Sequence, residues 1–251
     1  MLMLFSAGVA AASSRPSDAA LAAITARGVL LAEYDLAAWQ STDAITATHP
    51  SEGLIERYIA RKTDAGWVVD FGRLNASGDK FLVAYEAVPT GSPARYEVKS
   101  FTPVREDVGW NLSAARAVEL VTKDFGPTTR PYNIAVLPGD AGSLYVYMYP
   151  AQVKAGVYPL GGDVRYRVSP DGSSITDKRQ MHKSIIESVS ADPKVKVESG
   201  YHTHVLSDVP EDTDVFLVLT RQPQVPEIVV TQHFMYTIAT DGTITVGDRP
   251  K

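Results

Sequence analysis

The chain has no cysteine, so disulfides, iron–sulfur clusters and thiolate metal sites are all excluded, and a cysteine nucleophile with them. No Lys/Arg-rich run occurs. With 24 basic against 29 acidic residues and a net charge of −5, the electrostatic footprint for nucleic acid or an anionic membrane surface is missing. No apolar stretch approaches the roughly 20 residues that span a bilayer. Neither a phosphate-cradling glycine loop nor a nucleophile elbow is found; Ser207 lies near histidines but outside such a context. What is present is ordinary globular material. With 45% apolar residues over 251 positions, the chain can bury a sizeable core without a staple, so a metal here needs a functional reason.

The first residues, Met1 to Ala12, are short, apolar and uncharged, and end in Ala10-Ala11-Ala12 before Ser13-Ser14-Arg15-Pro16. They read as the apolar core and cleavage site of a secretory signal lacking its basic start. Residues 1–16 are therefore expected to be an export segment, and the protein periplasmic or secreted.

Beyond it the pattern is helical over 17–48, with Gly28 as a possible break and His49-Pro50 as the stop. Strand patterns follow in Trp67–Phe71, Phe81–Glu86 and Arg95–Val98. A helix is expected over Leu112–Val121, with Asn111 or Ser113 capping its first amides and Gly126-Pro127 ending it. The second half reads as strands at Asn133–Leu137, Leu144–Tyr149, Asp163–Val168, Lys194–Val197 and Ile228–Ile238. Helices are expected at Met181–Val189 and Pro210–Thr220. Asp171-Gly172 and Asp241-Gly242 mark hairpins. Strands and helices are grouped and do not alternate. The expected class is therefore α+β, antiparallel sheets with a few packed helices, dividing into a helix–sheet–helix region (17–126) and a mainly β region (127–251).

One segment carries candidate chemistry. His202 and His204 are two apart, which on a strand puts both imidazoles on one face. Asp208, Glu211, Asp212 and Asp214 follow. Two imidazoles and a carboxylate with one open position form the ligand set of a catalytic zinc, which generates hydroxide near neutral pH. A structural reading competes: Asp208-Val209-Pro210-Glu211 fits a capping box, with Asp212 and Asp214 at the positive end of a helix dipole and the histidines hydrogen-bonded to those acids. Other features have plain readings. Tyr145, Tyr147 and Tyr149 share a strand face, as a ligand platform or a half-buried aromatic face. Lys178–Lys183 is a basic, solvated cluster.

A His-x-His strand running into an acidic helix start, followed by two strands, resembles the core of the JAB/MPN (JAMM) metallopeptidases over roughly residues 190–245. The resemblance implies His202, His204 and Asp214 as zinc ligands and a zinc-dependent hydrolysis of amide bonds. Three family features are missing. Asp214 comes one residue early, which puts Glu211 in the serine position. Val205 stands where proline is usual. No glutamate lies between Glu119 and Glu187 to act as general acid/base. Asp163, after Gly161-Gly162, and Glu211 are the remaining carboxylate candidates for that role. The alternative is a non-enzymatic periplasmic or secreted binding module with structural histidines and an unknown protein or peptide partner.

Overall fold

The computed structural model describes residues 14–91, 95–189 and 196–249; the expected export segment lies, but for its last three residues, outside them. The fold is α+β, with three α-helices and fourteen strands among the described residues. None of those helices is long and apolar enough to cross a membrane.

Helix α1 (Asp18–Thr46) starts where the Ser17 hydroxyl accepts from the Ala20 amide at 3.2 Å, the usual way a serine satisfies a first-turn donor. Gly28 does not break it. A Cβ there would meet Val215 Cβ at 2.5 Å and the Asp212 carbonyl oxygen at 2.7 Å. The glycine is the notch that lets helix α3 (Asp212–Thr220) lie against α1. Replacing Gly28 by valine should therefore force the two helices apart. Overpacking of this kind costs about 1–3 kcal/mol, to be read as a lowered urea midpoint for unfolding.

Strands β1 (Arg57–Thr63), β2 (Gly66–Leu74), β3 (Phe81–Pro89) and β4 (Tyr96–Asp107) form an antiparallel meander in that order. Helix α2 (Trp110–Phe125) packs on it through Leu112, Ala114, Ala115 and Val121. No side chain caps α2; the expected cap Asn111 is instead buried and donates to Asp70 at 2.7 Å. Gly126, at φ 80°, ends the helix as expected.

A second antiparallel sheet orders β5 (Tyr132–Pro138), β6 (Leu144–Pro150), β8 (Val164–Val168) and β9 (Ile175–Gln180). Strand β7 (Val157–Leu160) pairs with β10 (Ile186–Val189). The helix expected over Met181–Val189 is absent: residues 181–185 form a connection and Ile186–Val189 join β7 as a strand. The last sheet orders β11 (Gly200–Thr203), β12 (Glu227–Val230), β13 (Phe234–Ile238) and β14 (Ile244–Asp248). The single strand expected over Ile228–Ile238 is two, turned back through residues 231–233 and paired antiparallel. Of the strand expected at Lys194–Val197, residues 194 and 195 lie outside the described set, and 196–197 are irregular. Both Asp-Gly hairpins form, β8–β9 and β13–β14, although only the glycines have positive φ, 77° and 87°.

The apolar cores do not stop at residue 126. Leu31, Tyr34 and Ala38 of α1, Val69 and Phe71 of β2, and Leu137 and Tyr147 of β5 and β6 share one cluster. The opposite end of α1, through Leu21 and Ile24, packs with Val215, Val229 and Tyr236 in another. Tyr145, Tyr147 and Tyr149 are buried, and their hydroxyls donate to Asp140, Asp212 and Asp35 at 2.7, 2.9 and 2.7 Å. Their shared face is core.

Candidate metal centre

Strand β11 alternates as its sequence dictates. Tyr201 is exposed while His202 is buried, and His204 follows on the buried side at the strand's end. The strand runs parallel to β12, so the chain must cross over between them, and α3 makes that crossing. The α3 N-terminus is fixed from behind. Buried Asp212 accepts from Arg27 Nε at 3.0 Å and Tyr147 Oη at 2.9 Å, and also pairs with Arg165. With that turn anchored, Asp214, two residues on, faces β11.

The helix starts three residues later than the expected capping box places it. Glu211, not Asp208, is the N-cap residue, and Asp214 Oδ2 reaches back to accept from the Glu211 amide at 2.7 Å. Asp214 thus caps the helix and serves the cluster below with the same carboxylate.

Three imidazoles converge on that carboxylate. His202 Nε2 lies 3.0 Å and His182 Nε2 3.1 Å from Asp214 Oδ1, and His204 Nε2 lies 3.1 Å from Oδ2. The Nε2 atoms of His182 and His204 are 2.9 Å apart, and those of His202 and His204 3.1 Å. Four donors at about 2.0–2.1 Å from one tetrahedral ion stand about 3.3 Å from each other, so these edges are slightly contracted from a metal-centred tetrahedron. His182, His202, His204 and Asp214 form a buried group that can hold a metal ion.

The partners of the other ring nitrogens fix which lone pair faces inward. His182 Nδ1 is 2.9 Å from Asp163 Oδ1, His202 Nδ1 is 2.8 Å from Glu227 Oε1, and His204 Nδ1 is 3.0 Å from the Val209 carbonyl. Carboxylates and carbonyls only accept, so each Nδ1 donates its hydrogen. In the neutral rings every Nε2 then presents a bare lone pair to a common point. Metal-binding histidines are oriented by outer partners of this kind. Glu227 is itself held 2.5 Å from Arg221 Nη1, and both pack under Gly200, where a Cβ would stand 1.9 Å from Glu227 Oε2.

Electrostatics follow the same geometry. Burial pulls His182 down, but Asp214 and Asp163 outweigh it and raise its pKa to about 11. His202 is likewise opposed by burial and raised by Asp214 and Glu227 to about 9. Burial pushes Asp214 upward, yet the surrounding histidines hold it well below the ordinary carboxylate range. Without an ion, protons fill the role of the cation.

Of the residues singled out by sequence, His202, His204 and Asp214 are brought together. Asp163 and Glu211 are placed otherwise. The Asp163 carboxylate accepts both the backbone amide and the Nδ1 of His182. Glu211 is engaged at both oxygens by Arg179, at 2.9 and 2.6 Å. His182 is the member that spacing could not find. It lies 22 positions before His204, in a cluster that reads as a solvated basic face, and comes from the connection after β9. Gly161 and Gly162, both at positive φ, bring Asp163 close behind it. At Gly161 a Cβ would stand 2.0 Å from the Ser184 carbonyl oxygen.

A groove of about 420 Å³ opens over the cluster, with His182, His202 and His204 all on its lining. A second depression, on the side of Ser207 and Arg249, touches only His204 among them.

No family model, curated protein or solved structure matches the chain.

Proposed function

We propose that this protein is a metalloprotein that holds one divalent transition-metal ion between His182, His202, His204 and Asp214. The observation that carries the reading is the convergence of three Nε2 lone pairs on one carboxylate, each imposed by an acceptor behind the ring. An all-nitrogen-and-oxygen set with three imidazoles favours zinc among the common ions, while copper(II) and iron(II) use similar donors. Four protein ligands complete a tetrahedron, the arrangement of zinc sites that stabilise a fold. The ion would join three separate elements: the β9–β10 connection, the end of β11 and the first turn of α3. This favours a non-enzymatic metal-binding role, with the histidines serving the structure through the ion.

A second reading has one specific observation behind it, the groove that reaches all three imidazoles. It is zinc-assisted hydrolysis of an amide bond, as the likeness to the JAB/MPN core implies. For it, His182 would have to yield its position to water. Asp163 or Glu211 would also have to leave its present partner to move the proton.

Elemental analysis of purified, tag-free protein beside a His202→Ala/His204→Ala variant tests both. Near one ion per chain, lost in the variant, is expected. No ion in either sample after zinc reconstitution overturns the metal reading. Zinc-dependent cleavage of unstructured peptides by the loaded protein would favour the hydrolase; its absence favours the stabilising ion.

A further inference from the structure

The groove above the cluster has mainly apolar walls, interrupted by Ser184 and Thr203. Leu160, Met181, Ile186, Tyr201, Val205 and Leu206 line it, and its remaining charged side chain beside the histidines is Lys183. Among the described residues no carboxylate is on the lining. Four of the six apolar residues are exposed: Ile186, Tyr201, Val205 and Leu206. Ile186 belongs to β10, Tyr201 to β11, and Val205 and Leu206 to the connection after it, and all four line one space. Large apolar side chains left exposed together mark a binding surface more often than scattered ones do. The volume falls within the range of small-molecule sites, which combine apolar walls with a few polar groups.

Charge decides what kind of molecule fits. An ion of charge +2 is balanced by Asp214 and by Asp163, whose partner His182 is neutral when it holds the ion. Lys183 supplies a positive charge at the wall. Behind the floor, Glu227 is paired with Arg221. As for water in the hydrolytic reading, a ligand reaches the ion where His182 yields its position, and a carboxylate oxygen is an accepted donor for zinc. We propose that this groove binds a carboxylate carried on an apolar chain. One carboxylate oxygen takes the position that His182 yields, Lys183 pairs with the group, and the chain lies between Ile186 and the Tyr201–Leu206 wall. This inference rests on the metal reading.

The test uses the full chain loaded with zinc, its metal content measured before any ligand is added. Octanoate, acetate and 1-octanol are then titrated by calorimetry into the loaded and the chelator-treated protein. Octanoate is expected to bind the loaded protein on the order of tenfold or more tightly than acetate, because its extra methylenes leave water. The same margin is expected over octanol and over the metal-free protein. Ile186→Asp and Val205→Asp should each weaken octanoate several-fold, with retained metal content as the folding control. Equal binding of octanoate and acetate, equal binding with and without metal, or indifference to both variants overturns the proposal while leaving the metal centre standing. A chain that takes up no zinc removes both readings, and the initial metal measurement shows which has failed.

Discussion

Asp214→Ala is expected to be the most damaging single substitution at this centre, with Asp214→Asn intermediate. Asp214 is wholly buried and lies within 3.1 Å of all three imidazoles, so its loss leaves a charged histidine cluster without its counter-ion. Breaking a buried pair by removing one partner typically costs about 3–5 kcal/mol. Alanine also removes the acceptor for the Glu211 amide, and losing a helix cap adds about 1 kcal/mol. Asparagine keeps an oxygen for that amide and gives up the charge. In metal-free protein, the difference between the two variants in urea unfolding should therefore approximate the cap alone. Both should lose stoichiometric zinc. If Asp214→Asn unfolds and binds zinc like the wild type, the carboxylate is only a cap.

Metal-free protein is expected to lose stability as pH rises through the alkaline range, and zinc-loaded protein is not. His182 and His202 are raised to about 11 and about 9. A histidine raised above its unfolded value near 6.5 stabilises the fold fully below that value, and the contribution drains as pH climbs through the folded pKa. For His202 alone, a rise from 6.5 to about 9 corresponds to about 3 kcal/mol. Asp214 has the opposite sense. Its depressed pKa stabilises the protein above the ordinary carboxylate value, and that contribution is lost only as pH falls through the lower, folded one. The apo protein should thus be most stable in mildly acidic solution. Zinc binds neutral imidazole, so the loaded centre has no proton to lose on the alkaline side. Loading at pH 7 should instead release the protons held by His182 and His202. Urea midpoints between pH 5 and 10, with and without chelator, measure the first effect. Calorimetry in buffers of different ionisation enthalpy measures the second. Parallel pH profiles for the two forms, with no proton release, would show that the histidines hold no ion.

Much of the fold was legible because local patterns and tertiary packing agree. The helices at Asp18–Thr46 and Trp110–Phe125, the strands around Trp67, Phe81, Ile134 and Tyr145, and both Asp-Gly hairpins lie where periodicity and turn chemistry place them. The disagreements share one cause. Gly28 looks like a breaker until α3 is seen filling its notch. Residues 186–189 follow a mixed pattern that could have been helical, and pairing with β7 makes them a strand. In each case a neighbour distant in sequence supplies the deciding contact.

The candidate centre divides the same way. Sequence alone determined that His202 and His204 share a face, because the side-chain period of a strand is two. It also placed Asp214 near the positive end of a helix, though with Asp208 as the N-cap where the structure has Glu211. Only the tertiary structure decided that His182 joins them, that Asp163, Glu227 and Val209 turn the three rings inward, and that an apolar groove lies above. Those relations draw together residues from Asp163 to Glu227. No local pattern encodes them, because they arise from how β9, β11 and α3 are packed together, with α3 held by the Gly28 notch and the buried Asp212 pair.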